Sequence, residues 1–313
     1  MPSLFIRITK DVYLQMNVLC LNINRESSIC LFKKNKVYAA SEERFTRVKN
    51  QDGIPHRALK WILSTSKIKI KDCDKIIYCC ARSVYPSEKQ YKNLAADIKK
   101  SNDAYYQKLI LHRLITEAVY NSKSIELFKE WAKQNKISDD KILFVDHHEA
   151  HARSVLNFYG LKNARVFTCD GKGGFNSSAV WLQKNNLLSQ KNFNLTHNSL
   201  GYMYSNFTIS LGYLAERHEG KLTGLAAYSK PPKNYDSLNP FLVKKGRIIT
   251  KDIKGIYMPF FNNLKKSNWD LSKMNARLKT WDVKQTASAA QKILEKTILK
   301  WISQNINNKD KNI

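Results

Sequence analysis

The segment DHHEAH at residues 146–151 contains two histidines four positions apart. Residues at that spacing lie on one face of an α-helix, so His147 and His151 could offer two imidazole nitrogens to a single metal ion. Zinc-protease patterns do not fit, because HExxH requires a histidine where Ala152 stands and HxxEH requires a glutamate where Ala150 stands. The segment therefore indicates metal or phosphate chemistry of another kind.

A second candidate is the stretch CDGKGG, which follows an apolar run and places Asp170 at its end. The Asp170 carboxylate could complete a three-ligand site with His147 and His151, and such mixed ligation suits iron, manganese or zinc. The glycines Gly171 and Gly173 would let backbone N–H groups approach a phosphate. An Asp-Gly pair after a strand is equally typical of a hairpin turn, so this stretch alone leaves both interpretations open.

Two further blocks carry charged residues. In RHEGKLTGLA, residues 217–226, Lys221 could meet a phosphate as a point charge, and Gly224 would permit close backbone packing. The alternative is the start of a helix interrupted by glycines. The block EERFTR at residues 42–47 closes an apolar run, and a charged strand edge is the alternative to a functional role there.

The elements that position these residues alternate between strands and helices. Three apolar runs, VLCLNI, SSICLF and KVYAASEERF, separated by polar turns, predict a three-stranded antiparallel opening. A helix is expected after Pro55. KIIYCC predicts a buried strand, and a helix-favouring stretch over about 88–136 leads into another apolar strand, KILFVD. Helical periodicity over Ala152–Tyr159 places the histidines between a strand end and a helix.

The order of elements then restarts. The runs ARVFTCDG and SSAVWLQ predict strands, a polar turn is expected at 184–186, and TASAAQKILEKTILKWISQ predicts a helix near the carboxyl end. Two similar βββαβα halves indicate a duplicated α/β fold with its site between the lobes. We expect an amino-terminal extension at 1–16, a first lobe at 17–160 and a partial second lobe at 161–313.

Composition narrows the class of protein. The chain of 313 residues is 43% hydrophobic, enough for two modest lobes, and its polar start and lack of a long apolar run predict a cytoplasmic protein without a membrane partner. Its formal net charge of +27 comes from lysines spread along the whole length, so a nucleic-acid partner is not expected. The six cysteines lie mostly in apolar runs without a CxxC pair and are expected to be reduced core residues.

Taken together and in order, five blocks resemble the NodU/CmcH carbamoyltransferase family over about residues 17–300: SEERFTRVKN, DHHEAHARSV, CDGKGG, NSLGYMYSNFTISLGY and HEGKLTGLAAYS. The resemblance implies the amino-terminal domain of that family, an actin-like ATPase (ASKHA) fold of the TsaD type. It also implies the family's reaction. A carbamoyl group passes from carbamoyl phosphate, through a carbamoyl-adenylate, to a hydroxyl of a small molecule or sugar, with ATP as co-substrate.

The same resemblance assigns roles to residues. It implies that His147, His151 and Asp170 bind a metal ion, with iron the expected metal, and that this ion holds the phosphates of the nucleotide. Contacts to the nucleotide or carbamoyl-adenylate are implied at eight further positions: Ser27, Ser28, Gly171, Gly173, Glu219, Gly220, Lys221 and Gly224.

The chain departs from the family in three places. Its first turn has Arg25-Glu26 where the family usually carries His-Asp, and Gly174 replaces the last carboxylate of DGxGE. The family's glycine-rich nucleotide strand, a further metal-binding aspartate and its carboxy-terminal YrdC-like domain are expected to lie outside this sequence. We therefore expect a fragment, or one chain of a split enzyme whose partner chain supplies that half.

Two alternatives remain open at this point. A tRNA threonylcarbamoyl transferase of the TsaD type is one, because His147-x-Glu149-x-His151 also fits that pattern. A non-catalytic remnant that binds metal and nucleotide is the other.

Overall fold

The computed structural model describes residues 16–251, 254–258, 271–306 and 313. Over these ranges the protein is mixed α/β, as predicted. Two compact units are present: one joins the described residues up to Tyr85 with Ala118–Ala150, and the other joins Pro86–Glu117 with the described residues from His151 onward. The chain passes from one unit to the other at three points, one in the loop after Tyr85 and two inside helices. The predicted lobe boundary after residue 160 stays a prediction.

A five-stranded mixed sheet forms the first unit, in the spatial order β3-β2-β1-β4-β5. Its strands are β1 (Asn17–Asn22), β2 (Ser28–Lys33), β3 (Lys36–Ser41), β4 (Lys75–Tyr78) and β5 (Ile142–Phe144). Strands β1 to β3 pair antiparallel, whereas β1 pairs with β4, and β4 with β5, in parallel. The predicted antiparallel opening and the two later strands are therefore confirmed.

The two faces of this sheet differ. Side chains alternate along a strand, so Leu19, Leu21 and Leu31 share one face, where each is fully buried in the core of the unit. Residues of α2 (His56–Ser66), among them Ala58 and Ile62, belong to the same core. The opposite face carries the side chains that alternate with these leucines, among them Cys20 and Cys30.

The helix-favouring stretch after β4 forms two helices, α3 (Glu88–Lys100) and α4 (Ala104–Gln134). Asp103 separates them, because its carboxylate accepts a hydrogen bond from the backbone N–H of Tyr105 at 2.8 Å and so caps the start of α4. The helix that carries the histidines, α5 (His147–Phe158), begins five residues before the apolar periodicity that predicted it.

The second unit contains a three-stranded antiparallel sheet in the order β6-β7-β8, formed by β6 (Ala164–Gly173), β7 (Asn176–Lys184) and β8 (Leu187–Leu195). The predicted turn at 184–186 is confirmed, with Asn185 and Asn186 left-handed at φ 48° and 65°. Two helices follow, α6 (Leu200–Ser210) and α7 (Glu219–Ala226).

The described chain continues with a hairpin that the sequence did not predict, β9 (Phe241–Lys244) and β10 (Arg247–Thr250), then α8 (Ser272–Leu278) and α9 (Val283–Ser303). Helix α9 confirms the last predicted helix, and Asp282 caps it by accepting a hydrogen bond from Gln285 N at 2.7 Å. In its described parts, no helix is both long and apolar enough to cross a membrane.

All six cysteines are free thiols, but the expectation that they belong to the core is correct only for Cys73 and Cys80. Cys169 is exposed, and three other cysteines are half-buried: Cys20, Cys30 and Cys79. A strand in an apolar run need not be buried on both faces, which is why the apolar context misplaced these thiols.

A buried charge cluster ties α3 to β10 in the second unit. The Asp97 side chain is 2% exposed, and its Oδ2 accepts hydrogen bonds from Arg247 Nη2 at 2.8 Å and Asn198 Nδ2 at 3.3 Å. His197 Nε2 lies 3.1 Å from the same oxygen. Burial alone would raise the pKa of Asp97, but the hydrogen bond and charge of His197, together with Arg247, outweigh it, so this pKa lies below its ordinary value.

This pKa predicts how stability depends on pH. Because the folded-state pKa of Asp97 lies below the unfolded value of about 3.9, its contribution is complete above that value and is lost as pH falls toward the folded pKa. Asp97→Asn should lower the free energy of unfolding near neutral pH by about 3 kcal/mol, because it leaves the largely buried Arg247 guanidinium without its carboxylate partner. Urea unfolding measured from about pH 5 down to about pH 2 should show a weaker acid dependence in this variant.

The matched control for that measurement is Asp52→Asn, at an exposed carboxylate in a loop. It should unfold like the original protein at every pH. A full-sized acid dependence in Asp97→Asn would contradict the assignment.

Candidate metal centre

The histidines occupy the first two turns of α5 because Asp146 starts the helix. Its Oδ1 accepts hydrogen bonds from the backbone N–H of His148 at 3.0 Å and of Glu149 at 3.2 Å, which satisfies two of the unpaired donors at the helix end. The compact units divide after this first turn, but the helix is continuous. His147 and His151 are therefore one turn apart on one face, as predicted.

The residues between them point elsewhere. His148 is fully buried and Glu149 is 7% exposed. Glu149 Oε2 accepts a hydrogen bond from Arg82 Nη2 at 2.9 Å. His151, in contrast, has a side chain that is 56% exposed, so its ring can reach a ligand from solvent.

Asp170 lies in a bulge of β6. The pairing of β6 with β7 shifts register between Cys169 and Gly173, so residues 170–172 leave the ladder, and such bulges re-aim side chains. The hairpin turn itself follows, with Gly173 paired to Asn176 and Gly174 left-handed at φ 64°. The two interpretations of CDGKGG thus apply to different residues, and Asp170 is outside the turn.

The three side chains converge. Ligand atoms of His147, His151 and Asp170 all lie within 4.8 Å of one another, and His151 Nε2 is 4.0 Å from Asp170 Oδ2. Metal–ligand distances of about 2.0–2.2 Å place ligand atoms roughly 3–4 Å apart, which small rotamer changes would achieve here. Two imidazoles and one carboxylate form a donor set suited to a divalent transition metal.

Contacts with the start of α6 hold the bulge. Ser199 Oγ donates a hydrogen bond to Gly171 O at 2.7 Å, and the same oxygen caps α6 by accepting from Tyr202 N at 3.1 Å. At Gly201, a Cβ atom would lie 2.7 Å from both Gly171 Cα and Gly171 N, closer than any side chain permits. The missing side chain at Gly201 therefore lets α6 lie directly against the segment that carries Asp170.

A buried ionic network lies behind the bulge. Arg113 and Glu117, one turn apart on α4, are ion-paired, and their side chains are 2% and 1% exposed. Arg113 also donates to the Tyr202 hydroxyl and lies over its ring, 4.6 Å from the centroid. Lys172 Nζ is 3.8 Å from Glu117 Oε1. The network joins α4, α6 and the bulge.

The remaining nucleotide candidates belong to both compact units and are described within each unit. Ser27 is 1% exposed, and its hydroxyl has no hydrogen-bond partner among the described residues, whereas Ser28 is half-buried at the start of β2. Both serines belong to the first unit. Gly171 and Gly173 belong to the second, on either side of Lys172 in the bulged strand.

The RHEGKLTGLA block forms the start of α7, which supports the alternative interpretation. Glu219 Oε1 accepts hydrogen bonds from Ser205 Oγ at 2.8 Å and Glu216 N at 2.6 Å, so its carboxylate joins α7 to α6. Lys221 Nζ lies over the Tyr213 ring, 5.7 Å from its centroid. The expected close packing at Gly224 is wrong, because a Cβ there would meet no described atom within 4 Å. Gly220 has the same open surroundings.

The block EERFTR does not form a strand edge. Its central residues form a short helix, α1 (Glu43–Thr46), and Glu42 is 5% exposed. The Glu42 carboxylate accepts hydrogen bonds from the backbone N–H groups of Arg57 at 3.1 Å and Ala58 at 2.8 Å. The charge therefore stabilises the amino terminus of α2, where the helix dipole favours an anion.

Sequence reasoning missed the residues that support Asp170. Ser199 and Gly201 lie in the NSLGYMYS block, which carried the resemblance but received no role. Arg113 and Glu117 have the spacing of an ordinary exposed ion pair, and nothing in the local sequence signals that both are buried.

Comparison with known proteins identifies relatives. The family profile described as "Carbamoyltransferase N-terminus" matches residues 20–313. Uncharacterized protein MJ1058 of Methanocaldococcus jannaschii is 26% identical in an alignment 325 positions long, which covers 87% of this chain and 50% of that protein. Uncharacterized protein sll1178 of Synechocystis sp. is 28% identical over 212 residues, covering 66% of this chain and 33% of that protein.

A third relative is the nodulation protein NolNO of Sinorhizobium fredii, 24% identical over 217 residues, which cover 69% of this chain and 29% of that protein. The chain thus matches between 29% and 50% of the length of these relatives. Among solved structures, YeaZ from Pseudomonas aeruginosa is similar with a TM-score of 0.30 and 8% identity, over 56% of this chain and 65% of that chain.

The contact at Gly201 predicts a measurable effect on the site. Gly201→Ala should force the bulge away from α6, lowering the free energy of unfolding by about 1–3 kcal/mol through overpacking. It should also weaken divalent-metal binding, since Asp170 moves with the bulge. Chemical denaturation and metal titration by calorimetry measure the two effects.

The matched control is Gly224→Ala, because that Cβ meets open space in a helix. It should leave stability unchanged or raise it by up to about 1 kcal/mol. Equal stability and metal affinity in both variants would contradict the role of the Gly201 contact.

Proposed function

The chain belongs to the carbamoyltransferase N-terminus family, and from that membership we propose that it is the amino-terminal part of an O-carbamoyltransferase with a metal centre at His147, His151 and Asp170. The convergence of these three ligand atoms within 4.8 Å carries the proposal. It supports the ligand set because two sequence-distant blocks, on α5 and β6, meet at one point. Iron is the proposed metal, with manganese or zinc as alternatives.

The proposed reaction transfers a carbamoyl group to a hydroxyl of a small molecule or sugar. Water first converts carbamoyl phosphate to carbamate and phosphate, and a carbamate oxygen then attacks the α-phosphorus of ATP, which forms a carbamoyl-adenylate and releases pyrophosphate. The acceptor oxygen then attacks its carbamoyl carbon, the hydroxyl proton leaves, and AMP departs. A bound divalent ion would neutralise negative charge on phosphate oxygens.

The chain's own residues have distinct parts in this proposal. The backbone N–H of Gly171 donates to Asp170 Oδ1 at 2.6 Å and so orients the carboxylate. Lys172, with a side chain 24% exposed, and Lys221 are the cations proposed to meet anionic oxygens of the ligand. Ser28 and Gly173 remain proposed contacts to the nucleotide.

Metal binding is the first test. The purified full chain, stripped with a chelator, should bind Fe²⁺ under anaerobic conditions, and His151→Ala or Asp170→Ala should weaken binding by at least about tenfold, because each removes one of three ligands. Calorimetry and metal analysis after desalting provide the measurement. His112→Ala removes an exposed histidine elsewhere, on α4, and should bind like the original chain. Unchanged affinity in both ligand variants would refute the metal centre.

Reconstitution is the second test. The full chain mixed with a polypeptide corresponding to the part of MJ1058 that it does not match should turn over ATP only when carbamoyl phosphate is present. Asp170→Ala should abolish that turnover. If folded, metal-loaded chain binds ATP but supports no turnover with this partner, the chain is a binding remnant instead.

The same preparation tests the remaining alternative. The net charge of +27 would favour a phosphate backbone, so salt-sensitive tRNA binding is the measurement. Saturable tRNA binding together with threonylcarbamoylation would replace the O-carbamoyltransferase proposal by a TsaD-type function.

A further inference from the structure

Three cysteines share one region of the first unit. Cys20 on β1 and Cys30 on β2 are direct partners in the antiparallel register, so both side chains point to the same face of the sheet. Cys79 follows β4, and its backbone N–H donates to Leu21 O at 3.1 Å, which places it beside the end of β1. All three thiols are free and half-buried.

The pair on β1 and β2 has the spacing that a disulfide requires. Residues directly opposite each other on antiparallel strands have Cα atoms about 4.5–5.5 Å apart. Disulfides span Cα separations of about 4.4–6.8 Å. The Cα separation expected for Cys20 and Cys30 therefore lies within the range that a disulfide spans.

A cleft of about 600 Å³ gives small molecules access to these thiols, since Cys20, Cys30 and Cys79 all line it. Small side chains on the sheet, including Ser28 and Ala39, keep the cleft open. Arg44 also lines the cleft, and its positive charge favours an anionic ligand.

The thiols differ in acidity. A hydrogen bond with Cys20 lowers the pKa of Cys79. The same hydrogen bond raises the pKa of Cys20, and burial raises that of Cys30. Cys79 therefore ionises most readily, and the thiolate is the form that attacks a disulfide.

We propose that Cys20, Cys30 and Cys79 form a redox-active thiol cluster, in which Cys79 reacts first with a small anionic disulfide and Cys20 and Cys30 end as a cross-strand disulfide. The Cys79 thiolate attacks one sulfur of the reagent, forming a mixed disulfide and releasing one small thiol. Cys20 then attacks the sulfur of the bound small group, so a Cys20 mixed disulfide forms and Cys79 is released as a thiol. Cys30 then attacks the Cys20 sulfur and releases the second small thiol.

The exchange is balanced. Cys20 and Cys30 together lose two protons and two electrons, and the small disulfide gains both to become two thiols. The product joins the two strands that flank the turn carrying Ser27. This inference is independent of the metal centre, because none of its residues belongs to that site.

The test uses the full chain with Cys169→Ser, which removes the one exposed cysteine and so excludes a competing thiol outside the cluster. Under native conditions the chain is treated with glutathione disulfide, alkylated, and mapped by mass spectrometry without reduction. A peptide crosslinked through Cys20 and Cys30, carrying no bound glutathione, is the expected product. Cys73 and Cys80 serve as internal controls and should remain alkylatable only after unfolding, because both are buried.

Two variants in that background assign the roles. Cys79→Ser should slow loss of the Cys20 thiol at least tenfold, and Cys30→Ser should accumulate a chain with one bound glutathione. Failure of the folded Cys169→Ser chain to form the Cys20–Cys30 crosslink would overturn the proposal. Reaction of Cys73 to the same extent as the cluster would also overturn it. Both readouts use the folded Cys169→Ser chain, so they remain valid even if one of the two further variants is unstable.

Discussion

A charge removed from water must be compensated, and this constraint organises the second unit. Glu117 has a side chain that is 1% exposed and is paired with Arg113, with Lys172 at 3.8 Å. Leaving such a carboxylate alone would cost several kcal/mol. Helix α4 is therefore fixed against both the strand that carries Lys172 and the helix that carries Tyr202, since moving any one of them would leave a buried charge without its partner.

A steric constraint acts at the same place. Gly201 brings α6 so close that a Cβ would lie 2.7 Å from Gly171, and Ser199 bonds the Gly171 carbonyl. Charge pairing fixes the bulge from one side and backbone contact fixes it from the other. A carboxylate on a bulge would ordinarily sample many positions, and these two constraints explain how Asp170 can be held near His151.

The local sequence pattern was sufficient to predict features that depend only on a single helix or strand. The spacing of His147 and His151 implies one helix face, and alternating apolar runs gave β1 to β7. Pattern failed where a role depends on distant partners. The sequence around Glu42 does not show that this residue is buried, because its hydrogen-bond partners lie at the start of α2. The spacing of Arg113 and Glu117 is equally common in exposed ion pairs on helices. Burial is a property of the fold, so a single segment cannot reveal it.

The blocks that carried the resemblance contribute to the site in two different ways. Glu42, Ser199 and Glu219 come from three of them, and each uses its side chain to bond backbone or side-chain groups within its own unit. Only DHHEAH and CDGKGG direct ligating atoms toward a common point, with His151 and Asp170 about half exposed. The other three blocks therefore support the fold around the site, and the chemical case for a metal centre depends on the two blocks whose ligand atoms converge.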